Sequence, residues 1–201
     1  MSFVITIGRE YGSGGRYIAK ELAKRLNVKY YDNDLLLEVA KANGFGEGYV
    51  KDNDEKKEVF WSGFFSNGFL DPINSIYNPT QSVAFATFDV IKKLADTESC
   101  VIVGRCSSAI LRDRENVLNV FITAPMKDKV ERAVKYYGVD PNKAESIINK
   151  ENKNRAKYFN FYTEDEWGKA SSYDLCLSSH IGIEETVDVI IEYMNRLHML
   201  R

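Results

Sequence analysis

The sequence predicts an α/β fold on a parallel sheet, and three observations carry that prediction. Short apolar runs rich in β-branched residues alternate with helical patterns. No hairpin signal joins one run to the next. One run, Cys100-Val101-Ile102-Val103, is apolar throughout, as a strand covered on both faces must be. At 201 residues the chain reads as a single domain, 1–201, large enough to bury a substantial core.

The first strand is predicted at Val4-Ile5-Thr6-Ile7, running into a glycine-rich turn that holds Gly12, Ser13, Gly14 and Gly15. A helix opens at Gly14 or Gly15 and ends at Leu26, with Ile18, Leu22 and Leu26 on one face and Asn27 as its stop. Val28-Lys29-Tyr30-Tyr31 reads as a second strand. Asp32-Asn33-Asp34 then offers cap chemistry to a helix through Leu35, Leu36, Val39 and Ala40.

Residues 44–80 read as a helical insertion. They carry a charged run from Lys51 to Glu58 and the aromatic group Phe60, Trp61, Phe64, Phe65 and Phe69. Those aromatics suit a segment that closes over a ligand, and equally a packing arm or a homodimer contact. Gln81 to Asp96 is helical, and the strand at Cys100–Val103 follows it, ending at Gly104-Arg105-Cys106. An arginine directly after a buried strand lies on the sheet edge where ligands of parallel sheets sit, so Arg105 points to an anion, with a structural ion pair as the alternative.

Val117 to Ile122 is a further strand, and Pro125 opens a helix through Val130 and Val134. The helix beginning near Pro141 places Lys150, Lys153 and Lys157 on one face. Such a face is solvated in most helices. Here Tyr158, Phe159, Phe161, Tyr162 and Trp167 follow it, a mix suited to a basic cover over bound phosphate. Tyr173 to Leu177 is the last strand. Ile183 to Leu200 is the closing helix, with Val187, Ile190, Ile191 and Met194 inward.

Composition narrows the functional classes. A formal charge of −2 leaves no broad footprint for nucleic acid or a membrane surface. No apolar run approaches the roughly 20 residues a membrane helix needs. Cys100, Cys106 and Cys176 are odd in number and lack metal-type spacing, predicting buried thiols in a cytoplasmic protein. His180 and His198 lie late in the chain and read as surface residues, which disfavours hydrolase chemistry. Tyr17 takes the place of the third spaced glycine of a dinucleotide-binding fingerprint, so an oxidoreductase ranks low.

The glycine turn is the strongest chemical signal. A strand delivers the chain, glycines let the backbone approach an anion, and the helix start presents N–H groups with the positive end of its dipole. The phosphate-loop pattern G-x-x-x-x-G-K-[ST] is nevertheless unmet in every register. Gly15 stands at the lysine position when Gly14 is the last loop glycine; Arg16 stands there only if Glu10 replaces the first glycine. A ligand-free turn is the alternative.

Four blocks in order, namely this turn, Tyr31-Asp32, Val103-Gly104-Arg105, and the stretch around Arg155 leading to Tyr173-Asp174-Leu175, resemble the cytidylate kinase-like family, a branch of the P-loop nucleoside monophosphate kinases. The resemblance runs from Val4 to Tyr193. It implies a three-layer α/β/α P-loop NTPase fold with a five-stranded parallel sheet, an acceptor-side insertion at 44–80 and a lid at 138–166. It also implies transfer of the γ-phosphoryl of ATP, with Mg2+, to a nucleoside monophosphate, with CMP or dCMP as first acceptors.

By position, Gly12, Ser13, Gly14, Gly15, Arg16 and Tyr17 would hold the donor, with Ser13 or Tyr17 near the magnesium. Asp32, Asp34 and Arg105 would face the acceptor. Arg16, Arg155, Lys150 and Lys153 would supply catalytic charge, which is what phosphoryl transfer requires. The chain departs from cytidylate kinases at the loop lysine, at Glu38 where they have an arginine, at Cys106 after Gly-Arg, and at Asn152 in the lid. Those departures leave two alternatives open: a kinase of a non-nucleotide small molecule, and a nucleotide-binding sensor without transfer.

Overall fold

The computed structural model describes residues 2–42 and 79–200. In chain order the elements are β1 (Val4–Arg9), α1 (Gly15–Leu26), β2 (Lys29–Tyr31), α2 (Asn33–Ala42), α3 (Pro79–Thr97), β3 (Cys100–Val103) and α4 (Ser107–Ile110). They continue with β4 (Val117–Thr123), α5 (Met126–Tyr137), α6 (Ala144–Tyr162), β5 (Leu175–Ser178) and α7 (Ile183–Arg196). The strands form one parallel sheet in the order β2-β3-β1-β4-β5. β1 is central, pairing Val4 with Cys100 on one side and with Val117 on the other.

Three layers follow from where the apolar faces point. On one side of the sheet α1 and α7 bury Ile18, Leu22, Val187, Ile190 and Met194 against Ile5, Ile7, Val101 and Val120. On the other, α2 and α3 bury Leu36, Val90 and Ile91 against Val4, Cys100 and Ile102. Each strand of the centre is therefore apolar at successive positions, because its odd and even residues serve different cores.

The helix signals act as expected. Asn27 adopts the left-handed conformation (φ 53°) and its N–H closes α1 on the carbonyls of Ala23 and Lys24. Asp32 caps α2, its Oδ1 accepting from the Leu35 amide at 3.3 Å. Some boundaries differ. α6 begins three residues after Pro141, α7 ends at Arg196 rather than Leu200, and Tyr173 and Asp174 precede β5. Asp174 still meets β4 at Asn119, its amide donating to the Asn119 carbonyl at 2.8 Å and its Oδ2 accepting from the Asn119 amide at 2.7 Å.

Cys100 and Cys106 are buried as expected, but Cys176 is exposed. It lies on β5, the sheet edge, where alternate residues face away from the core. His180 and His198 are exposed. The aromatic group Phe60 to Phe69, and all of the 44–80 insertion before Pro79, lie outside the described residues. Among the described residues, no helix is long and apolar enough to cross a membrane.

Candidate functional site

The glycine turn is folded by its own carbonyls and by the lid helix. Ser13 donates through both its amide and its Oγ to the Glu10 carbonyl, at 3.4 and 2.9 Å. The Ser13 carbonyl accepts from the buried Ser179 Oγ at 2.6 Å. Glu10 is tied to the other wall, its Oε2 accepting from Thr123 Oγ1 at 2.5 Å and Lys129 Nζ at 3.1 Å. From α6, Asn152 Oδ1 accepts from the Tyr11 amide at 2.7 Å, and Arg155 Nη1 donates to the Arg9 carbonyl at 3.0 Å. The lid thus rests directly on the turn.

The start of α1 carries a row of backbone amides. The amides of Gly12, Gly14, Gly15 and Arg16 find no acceptor among the described residues, whereas Tyr17 and Ile18 close on the Gly14 carbonyl. Such a row of amides at a helix N-terminus fits an anion. It suits the polyphosphate of ATP. Among the described residues no group of three or more His, Cys, Asp or Glu could hold a metal ion.

Beside the turn, at the carboxyl ends of β1 and β3, lies a cavity of about 230 Å3. Its walls carry three arginines: Arg9 from β1, Arg105 after β3 and Arg155 from α6. Arg105 sits over the Tyr158 ring at 5.0 Å, and Arg155 over the Tyr11 ring at 5.5 Å. Burial, with Arg155 and Arg105 adjacent, pushes the Arg9 guanidinium down to about 9. Burial also lowers Arg155, though Glu151 and nearby tyrosines oppose it. In the cavity wall the Tyr158 hydroxyl is buried beside Arg105, and Asn33 Oδ1 is buried without a hydrogen-bond partner among the described residues.

The backbone that presents Arg105 is unusual. Gly104, Arg105 and Cys106 have φ of 74°, 53° and 59°, three left-handed residues in succession. Two are not glycine, and such conformations cost about 1–2 kcal/mol each. Strain of this kind concentrates at functional sites.

The predicted residues separate into groups. Arg105 and Arg155 meet in the cavity. Arg16 instead turns toward β2, where Nη2 pairs with Asp32 Oδ2 at 2.6 Å and Asp34 Oδ2 at 3.8 Å. Tyr17 packs its exposed ring against Tyr136. Lys150 and Lys153 lie on the exposed face of α6, away from the cavity, whose lining from that helix includes Glu151, Asn154 and Arg155. Arg9 was not among the predicted site residues. The rule that singled out Arg105, an arginine directly after a buried strand, applies equally to Arg9.

The Arg16–Asp32 pair has a measurable consequence. Burial alone would raise the Asp32 carboxyl, but the Leu35 amide, the Tyr30 hydroxyl and Arg16 outweigh it and hold it below its ordinary 3.8. A depressed folded-state value means that ionised Asp32 stabilises the fold above pH 3.8, and that this is lost as pH falls through the lowered value. Chemical denaturation of wild type and Asp32→Asn is therefore expected to show a stability difference at pH 6 that shrinks steadily below pH 3.8. A difference that stays constant with pH would rule the pair out.

The family model for the cytidylate kinase-like family matches residues 4–181. The chain belongs to that family. Its fold is also that of a crystal structure of an uncharacterized protein from Eubacterium ventriosum ATCC 27560, at 34% identity and TM-score 0.76, covering 98% of this chain and 99% of that one. Two more distant structures share the fold alone. A gluconokinase from Sinorhizobium meliloti 1021 has TM-score 0.56 and 15% identity, covering 97% and 93% of the two chains. A shikimate kinase from Bacteroides thetaiotaomicron has TM-score 0.54 and 13% identity, covering 96% and 98%. No curated protein matches the chain. For this cytidylate kinase-like protein, family and fold support a kinase-like phosphotransferase in general.

Proposed function

We propose that this protein transfers the γ-phosphoryl group of ATP to a nucleoside monophosphate, with CMP or dCMP the first acceptors to try. The observation that carries the reading is the meeting of Arg105 and Arg155 in one cavity beside an amide-lined helix start. The donor phosphates would lie on the amides of Gly12, Gly14, Gly15 and Arg16, and the acceptor phosphate in the arginine cavity. An acceptor phosphate oxygen attacks the γ-phosphorus, the bond to the β–γ bridging oxygen breaks, and that oxygen leaves on ADP. The attacking oxygen is already anionic, so no general base is needed, and the protein's task is position and positive charge.

In this reading Asp32 and Asp34 hold Arg16 at the acceptor side of the turn, Lys150 and Lys153 add surface charge near the lid, and magnesium arrives with ATP. Ser13 could reach the ion only by releasing the Glu10 carbonyl, and Tyr17 only by leaving Tyr136. A second reading, a non-nucleotide phosphate ester as acceptor, is favoured by two groups. Burial pushes the Cys106 thiol up to about 12, so it is neutral, and the Asn152 amide oxygen is occupied by Tyr11. Neither offers an acceptor base a carboxylate.

The test is ADP release from MgATP against CMP, dCMP, UMP, AMP, GMP and dTMP, with a no-acceptor control. Release that depends on one nucleotide supports the first reading. Flat traces with measurable ATP binding would shift the assignment to a non-nucleotide acceptor or to a nucleotide-binding sensor. No ATP binding would remove both.

A further inference from the structure

Arg9 is the charged group that the phosphate-loop pattern does not account for. Its side chain leaves the end of β1 beneath the first turn of α1, where a Cβ on Gly15 would fall 2.6 Å from the Arg9 Cβ. It ends at β3, where a Cβ on Gly104 would fall 2.2 Å from Arg9 Nη1. The two glycines therefore leave room for the Arg9 side chain, which lines the cavity together with Arg105 and Arg155. Among the described residues no carboxylate forms an ion pair with Arg9.

Gathering like charges in a confined space is unfavourable in the unliganded protein. Among the described residues lining the cavity Glu151 is the one carboxylate, and it offsets the charge of Arg155 rather than that of Arg9. A structural arginine is normally matched by an acid, as Arg16 is matched by Asp32. Burial first, and the neighbouring Arg155 and Arg105 after it, lower the Arg9 guanidinium. The Tyr158 hydroxyl, able to donate beside Arg105, lies in the wall of the same space. A tetrahedral phosphate dianion would answer this arrangement, because guanidinium forks bind it through paired N–H groups.

We propose that Arg9 is a phosphate-binding residue of the transfer site, supplying from the strand end the positive charge that the loop lacks at its lysine position. This rests on the phosphotransferase reading for the transfer step, but not for the binding step. Arg16 and Arg9 then have separate tasks. Arg16 is held by acids and orders the entrance to α2, whereas Arg9 meets the anion directly.

Inorganic phosphate binding, followed by calorimetry, is measured on the wild type, Arg9→Met, Arg9→Lys and Arg196→Met, together with the thermal midpoint of each without phosphate. Arg9→Met is expected to weaken phosphate at least tenfold while leaving the midpoint unchanged or raised, since a buried unmatched charge has been removed. Arg9→Lys is expected to fold and to recover part of the affinity, because it keeps the charge without the fork. Arg196→Met, at an exposed position on α7, is expected to bind phosphate within threefold of wild type.

Wild-type affinity in Arg9→Met, or no phosphate binding by the wild type, would overturn the proposal. So would a midpoint that falls sharply in Arg9→Met, which is the mark of a structural arginine. Failure of the transfer reading looks different: phosphate binding that depends on Arg9, with no ADP release for any acceptor. Acceptor-dependent ADP release unaffected by Arg9→Met would keep the kinase and sink the role of Arg9.

Discussion

Arg155→Ala is expected to lower acceptor-dependent ADP release by about 100- to 1,000-fold, the usual loss when a preorganised charge is taken from a developing anion. The arginine is well placed for this effect. It lines the cavity, stacks on Tyr11, and donates to the Arg9 carbonyl at the mouth of the glycine turn. Losing that donor is also expected to cost about 1–2 kcal/mol of stability. Turnover must therefore be read below the melting range of the variant. Arg155→Lys separates the two contributions, because it keeps a charge but loses the planar fork. It is expected to fall between wild type and alanine. Steady-state rates for the alanine variant within threefold of wild type would remove Arg155 from the transfer step.

Gly12→Ala is expected to destabilise the fold by about 3 kcal/mol, summing a left-handed backbone cost with forced overpacking. Gly12 has φ of 77°, and a Cβ there would lie 2.6 Å from the Lys129 carbonyl oxygen and 3.0 Å from its Cα. Both are backbone atoms of α5, so no rotamer change relieves the contact. For a chain of this size the thermal midpoint is expected to drop by roughly 10 °C. Gly138→Ala is the internal control. Gly138 also has positive φ, 64°, but a Cβ there meets nothing within 4 Å. It is expected to cost only about 1–2 kcal/mol. Equal losses in the two variants would show that backbone conformation, rather than the turn's contact with α5, sets the requirement for glycine.

The features legible in the sequence are those governed by short-range physics. The β-branched runs set the strands, the four-residue spacing of Ile18, Leu22 and Leu26 set α1, and Asn27 and Asp32 set helix boundaries through local hydrogen bonding. The unbroken apolar run at Cys100–Val103 announced a strand buried on both faces, and it is one. Arg105 could be placed on the ligand edge because a parallel sheet puts every strand's carboxyl end on the same side. The ordered blocks named the family for the same reason: each is a local motif.

What only the tertiary structure decided is where long side chains go. Arg9 and Arg16 stand seven residues apart in one turn, yet Arg16 swings to Asp32 and Arg9 runs past Gly15 and Gly104 to line the cavity. Lys150, Lys153 and Arg155 share a basic helix, yet the arginine alone among them lines the cavity. These outcomes depend on which partner lies within reach across the sheet, at sequence separations of 16 to 146 residues. A side chain's destination is set by geometry that the chain acquires only on folding. The strand, the helix and their caps can be read residue by residue; the meeting of three arginines cannot.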